Sequence, residues 1–235
     1  MTSRRIPIVA LLAAIGAALL APIPSHATSM SPMNIVDLVR HSSDIVVGTV
    51  TAVRQGTTEN LPYTEVDLSV TDVVRGAPKK TLTFRRLGLQ TSMAPVAGRV
   101  EVGRIPGFAS FTVGEEVFLF LGPTSSRGFR APVGLQQGKF AYGTGSVRNE
   151  FQNRGLFANV NLANTALNEK EQAMVTTTQG ALDSSTFVGF VRRAVVGNWW
   201  PALGNADRPG PKKPGKKAGS VSTVKTALKE NVHAN

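Results

Sequence analysis

Side chains that could act as nucleophiles, general bases or metal ligands are scarce in this chain. It has no cysteine and three histidines, of which His26 and His233 lie near its two ends. The remaining histidine, His41, cannot form the usual set of nucleophile, base and orienting group without a second partner. Nor can one histidine form a histidine or cysteine zinc site. We therefore predict that His41 is a structural residue at the end of a helix.

The acidic residues do not form a catalytic pair either. Glu115 and Glu116 are adjacent, and neighbours along a strand point to opposite faces, so they cannot act together as general acid and base. The glycines at 143 and 145 lack the Lys-Ser/Thr ending of a phosphate-binding loop. The sequence therefore predicts no enzymatic activity, no cofactor and no metal site. A hydrolase with an unrecognised site is the weakest alternative.

The first 27 residues have the pattern of a secretory signal peptide. Arg4 and Arg5 precede an apolar run over 6–20, and small residues follow it. This pattern predicts cleavage between Ala27 and Thr28. The run is shorter than the roughly 20 residues that a spanning helix needs, which disfavours an uncleaved anchor. We expect an exported protein, periplasmic or extracellular, whose mature chain has no transmembrane segment; its oligomeric state stays open.

A short helix and five strands are predicted over 33–145. Ile35, Leu38 and Val39 recur at helical spacing before position 42. The unbroken apolar run at 117–121, framed by glycines, predicts a strand buried on both faces. The other strands are predicted at 44–53, at 64–74 with a bulge near 71–72, at 81–86, and in a segment that ends at 138–140.

A long connection separates the third and fourth predicted strands. Residues 87–112 lose the strand periodicity and contain several glycines and prolines. Connections of this length inside a domain are uncommon and often carry function. This loop is our first candidate for a contact surface, with an inert surface loop as the alternative.

The order of these segments resembles a known fold group. It contains SDIVVGTV at 43–50, DVVRG at 72–76, FTVGEEVFLFL at 111–121 and VGLQQGKF at 133–140. This order is similar to that of exported bacterial proteins with an OB-like barrel, related in fold to netrin-like domains and tissue inhibitors of metalloproteinases. The resemblance implies a mainly β chain with a five-stranded OB-like β-barrel, a short N-terminal helix and a C-terminal helix. The cysteine with which those inhibitors chelate zinc is absent, so that activity is not carried over.

The rest of the chain divides into an extension and a tail. The residue pattern over 146–203 predicts a polar extension that contains a strand at 155–162 and a helix at 184–196. Trp199 and Trp200 are expected to cover an apolar patch. Residues 204–235 are rich in Lys, Gly and Pro and predict a disordered tail, because they offer little apolar surface to offset the cost of ordering.

Charge is concentrated in that tail. The formal net charge is +11, and seven basic residues without an acid lie between positions 208 and 229. Lys212, Lys213, Lys216 and Lys217 are the predicted contacts with an anionic surface, with a solubilising tail that has no partner as the alternative. Exported proteins seldom meet nucleic acid, so no such partner is expected.

Two functions remain as predictions. The favoured one is an exported, non-catalytic binding or accessory module that contacts another exported protein or a glycan. The alternative is a structural protein of the cell envelope, held to anionic polymer by its basic tail.

Overall fold

The computed structural model describes residues 31–91, 105, 107–162 and 165–199. The predicted signal peptide with its cleavage site at Ala27 and Thr28, the tail with Lys212, Lys213, Lys216 and Lys217, and Trp200 lie outside these residues. The described part contains a seven-stranded antiparallel sheet of order β3-β2-β1-β4-β5-β6-β7, and three helices. The strands are β1 (Asp44–Thr58), β2 (Leu61–Arg75), β3 (Thr81–Leu87), β4 (Glu116–Leu121), β5 (Lys139–Gly143), β6 (Ser146–Asn149) and β7 (Leu182–Asp183). The helices are α1 (Ile35–Arg40), α2 (Glu169–Val175) and α3 (Ser184–Val196).

The sheet is organised around the 15-residue strand β1. The β1–β2 pairing shifts register at three places, and at one of them Thr71 of β2 has no opposite residue, as predicted for a bulge there. At Gly48 an added Cβ would lie 2.5 Å from the carbonyl oxygen of Ser69, so only glycine allows this close approach of β2. Strand β1 pairs with β2 on one edge and with β4 on the other.

Strand β4 separates two parts of the core. Phe118 and Phe120 belong to the cluster that α1 and α3 cover, whereas Val117, Leu119 and Leu121 belong to the cluster enclosed by β1, β2 and β3. All five side chains are 0% exposed. The predicted burial of this strand on both faces is confirmed.

The predicted extension, residues 146–203, contributes side chains to the core cluster that contains Phe118 and Phe120. Leu156, Met174 and Leu182 share a cluster with Phe118, and β6 and β7 continue the sheet. Helix α3 occupies the residues where a helix is predicted, and its N-cap is Asp183. The predicted strand at 155–162 is wrong, because that segment is mostly a succession of turns.

The predicted five-stranded closed barrel is also corrected by the structure. The mainly β class is observed, but in the described residues the sheet has seven strands and is open, with β3 and β7 at its edges. Residues 129–132 contact two strands that would have to be joined to close a barrel. Phe129 forms a parallel bridge with Arg85 of β3, and Pro132 forms an antiparallel bridge with Leu121 of β4. Pro132 lacks the N–H that would continue a ladder. In the described part of the chain, no helix combines the length and hydropathy needed to cross a bilayer.

Candidate functional site

The residues considered for chemistry lie apart from one another. His41 caps the C-terminal end of α1, and its N–H donates to the carbonyl oxygen of Asp37. Glu115 pairs with Lys139, at 2.8 Å between Oε1 and Nζ, whereas Glu116 is exposed at the start of β4. Within the described ranges, no group of three or more His, Cys, Asp or Glu side chains could hold a metal ion.

The two ends of the predicted contact loop at 87–112 are anchored to the sheet. The Gln90 side chain donates to Phe111 O at 2.6 Å and accepts from Phe111 N at 2.8 Å. The Nζ atom of Lys139 lies 4.8 Å from the centre of the Phe111 ring. These contacts are structural, and the central part of the loop, 92–104, lies outside the described residues.

A cleft elsewhere has the features of a ligand site. It has a volume of about 460 Å³ and lies between the segment 31–34, the side chain of Gln137 and the turns at 149–159. That volume falls in the range of roughly 300–1,000 Å³ that is typical of small-molecule sites. Its lining includes Pro32, Met33, Asn34, Gln137, Asn149, Phe151, Arg154, Leu156, Ala158 and Asn159.

Amide side chains hold the cleft in shape. Gln137 accepts a hydrogen bond from Met33 N at 2.6 Å and donates one to Ser31 O at 3.1 Å. Asn149 donates to Gln137 O at 3.1 Å and accepts from Phe151 N at 3.0 Å. Because both amides are occupied by the protein, they fix the wall of the cleft rather than offering free groups to a ligand.

The backbone of this wall adopts an unusual conformation. Gln152, Asn153 and Asn159 have φ angles of 57°, 58° and 56°, in the left-handed region that side chains seldom adopt. The Asn153 side chain supports the turn by donating to the carbonyl oxygens of Val147 and Gly180, at 2.9 and 2.8 Å. Backbone strain held in place by surrounding contacts is frequent at binding sites.

Two side chains of the cleft are available to a ligand. Phe151 is 40% exposed, and Arg154 is exposed with no side-chain hydrogen bond or ion pair to the described residues. An aromatic face can stack on an apolar surface, while a guanidinium donates several hydrogen bonds in a plane. Arg154 is the sole ionisable side chain among the lining residues of this cleft.

Sequence reasoning missed this cleft. The sequence of 143–153 predicts only polar turns. The concave surface exists because residues 31–34 pack against these turns in the folded structure. The local signal was the density of Asn and Gly over 149–159, since these residues tolerate the left-handed region.

No family model, curated protein or solved structure matches this chain. The function of the cleft is therefore inferred from its own side chains.

Proposed function

We propose that this protein is an exported, non-catalytic binding module whose cleft receives part of a glycan or a segment of another exported protein. The observation that carries the proposal is that Phe151 and Arg154, both exposed, line the same cleft, whose wall is held by hydrogen-bonded amides. Sugar rings and peptide side chains both offer an apolar face next to hydrogen-bond acceptors, which this pair complements. A preformed wall also lowers the ordering cost of binding.

The open β-sheet supports a relationship with OB-like barrels as a second part of this proposal. Strand β1 lies between β2 and β4, and the bridges from 129–132 reach Arg85 of β3 and Leu121 of β4. One parallel and one antiparallel bridge would close a barrel if they were extended into ladders. We infer that the chain derives its sheet from such a barrel and has enlarged it with β6 and β7.

Adhesion to the cell envelope through the tail is retained as an alternative function. It is supported by the tail lysines at 212, 213, 216 and 217, which carry no compensating acid nearby. Such adhesion is compatible with a binding cleft because the cleft residues lie in a different part of the chain. Nothing in the described residues favours the hydrolase alternative.

The test compares two full-length variants with the unchanged protein. The cleft variant carries Phe151→Ala and Arg154→Gln, and its matched control carries Val113→Ala and Arg127→Gln, which remove an exposed apolar and an exposed cationic side chain elsewhere. Each immobilised protein is offered the exported protein fraction and a panel of envelope glycans. We expect one ligand to be retained by the unchanged protein and the control and to be lost by the cleft variant. Equal retention by all three proteins would exclude the cleft.

A further inference from the structure

One end of the sheet gathers cations from three separate parts of the chain. We call it the basic end and define it as Arg75, Lys79, Lys80 and Arg130. Arg75 ends β2, the two lysines lie in or beside the turn to β3, and Arg130 lies in the segment after β4. They meet because β1 begins here, paired with the end of β2 on one side and the end of β4 on the other.

Asp44 at the start of β1 organises this end. Its carboxylate is 8% exposed and accepts hydrogen bonds from Lys79 and from Arg130. Burial opposes the charged form of Asp44, but the hydrogen bonds from these two cations outweigh it and lower the pKa of the carboxyl. Arg130 also donates to Ser43 Oγ at 2.7 Å and to Gly122 O at 2.9 Å. Both cations are therefore held in fixed positions.

The positive charge at this end exceeds the negative charge. One carboxylate, that of Asp44, is shared by two cations. The Arg75 side chain donates a hydrogen bond to a backbone carbonyl, Val39 O at 2.6 Å, and this bond neutralises none of its charge. Lys80 is exposed and has no ion pair to a described residue. The other nearby carboxylate, that of Asp72, pairs with Arg192 of α3. The basic end therefore carries a net positive charge, and this charge attracts anions.

The shape of the basic end suits a chain rather than a single ion. A shallow depression of about 490 Å³ runs beside it and is lined by Val70, Thr71, Asp72, Val73, Pro78, Lys79 and Lys80. Lys79 and Lys80 line this depression, Arg75 and Arg130 lie outside its lining, and the carboxylate of Asp44 already occupies Lys79 and Arg130. One small anion could not reach them all, whereas a polymer with repeated charges can.

We propose that the basic end binds a linear polymer of oxyanions, phosphate-bearing or carboxylate-bearing, and that it does so independently of the tail. Guanidinium and ammonium groups match both kinds of oxyanion. Insertion into a lipid bilayer is disfavoured here, because the large apolar side chains exposed in the described residues, Leu87, Val113, Phe151 and Val196, all belong to other segments. This site is separate from the cleft, so its test does not depend on the proposed function.

The test uses the full chain with Lys212, Lys213, Lys216 and Lys217 replaced by Gln, which removes the main charge of the tail. In that background we add Arg75→Gln and Lys80→Gln, which leave the Lys79–Asp44–Arg130 cluster intact. The matched control adds Arg148→Gln and Lys170→Gln, the same change of charge at exposed positions in β6 and α2. Binding to long-chain polyphosphate, to polygalacturonate and to phosphatidylglycerol vesicles is measured by titration at low and physiological salt.

We expect the tail-substituted background to bind one or both polymers, and the Arg75 and Lys80 changes to weaken that binding by about tenfold or more at low salt. The polymer that binds identifies the oxyanion. The control should bind like its background, and Phe151→Ala with Arg154→Gln should leave polymer binding unchanged. Equal weakening by the control, no weakening by the Arg75 and Lys80 changes, no binding by the background, or binding to vesicles alone would overturn the proposal.

Discussion

The rings of Phe118 in β4 and Phe187 in α3 meet edge to face, with centroids 5.6 Å apart and an angle of 85° between their planes. Both side chains are 0% exposed. Phe140 of β5 joins them, with its centroid 5.4 Å from that of Phe187. The C-terminal helix therefore completes the hydrophobic core on one face of the sheet.

Replacing Phe187 with Ala should lower the free energy of unfolding by about 3–5 kcal/mol, because it leaves a cavity between α3 and β4. A loss of that size is a large part of a typical total of about 5–15 kcal/mol. Urea denaturation measures it. The control is Val196→Ala at the end of the same helix, 81% exposed, which should change stability by less than about 0.5 kcal/mol. Equal effects of the two changes would show that α3 is not part of the core.

Replacing Leu119 with Asp should prevent folding at room temperature. The side chain is 0% exposed, and a buried charge without a partner costs several kcal/mol. Circular dichroism and thermal melting are the measurements. Val113→Asp is the control, since Val113 is 60% exposed and should accept the charge. Unchanged melting of the Leu119 variant would remove this residue from the core.

The ion pair between Lys139 and Glu115 should stabilise the base of the long loop. The Lys139 side chain is 8% exposed and also lies over the Phe111 ring. Glu115→Gln should cost about 1–3 kcal/mol, because it leaves a largely buried ammonium without its carboxylate. Adding Lys139→Met should recover part of that loss, which a double-mutant cycle in urea would measure.

The control for that cycle is an ion pair on the exposed face of the sheet. Arg54 lies 2.8 Å from Glu65 and is 52% exposed. Arg54→Gln should therefore lower the free energy of unfolding much less than Glu115→Gln does, because solvent screens an exposed pair. If Glu115→Gln costs no more than this change, the Lys139 pair is not a structural anchor.

The N-cap of α3 should make stability depend on pH in the acid range. Hydrogen bonds from the side chains of Ser185 and Thr186 and from Thr186 N lower the pKa of Asp183 to about 2. A lowered pKa means that the stabilisation is complete above the ordinary value of 3.8 and is lost as the pH falls through about 2. Asp183→Ala should cost about 1 kcal/mol at neutral pH and less near pH 2.

Asp183→Asn is the matched control for this pH dependence. Asn caps helices about as well as Asp but does not titrate, so its stability relative to Asp183→Ala should stay constant as the pH falls. Melting temperatures of the three proteins between pH 6 and pH 2 measure the effect. A constant difference between the unchanged protein and Asp183→Ala would mean that the carboxylate has no role in the cap.

Export remains a prediction from the first 27 residues. Mass spectrometry of the exported protein should find Thr28 at its N-terminus, because small residues precede it at the cleavage positions. Soluble exported protein that begins at Met1 would contradict both the cleavage and the assigned signal peptide.

Much of the strand arrangement could be predicted from local patterns. The run at 117–121 can only be a central strand, because it has no polar side to expose, and the broken alternation at Asp72 reveals the bulge of β2. Helix α3 was predictable because an N-cap residue, an apolar stripe and a glycine stop coincide within 15 residues. Each of these signals is carried by residues close together in the chain.

The cleft, the basic end and the open edge of the sheet depend on contacts between distant residues. Gln137 binds the backbone of Ser31 and Met33, and Asp44 joins Lys79 to Arg130 across separations of 35 and 86 residues. By itself the sequence predicted strands β1 to β4 and helices α1 and α3, because composition and periodicity act locally, whereas it did not predict β6, β7 or α2. Only the tertiary structure decided which polar side chains meet and whether the sheet closes, because both depend on how the pairing of β1 with β2 and β4 places segments that are far apart in the chain.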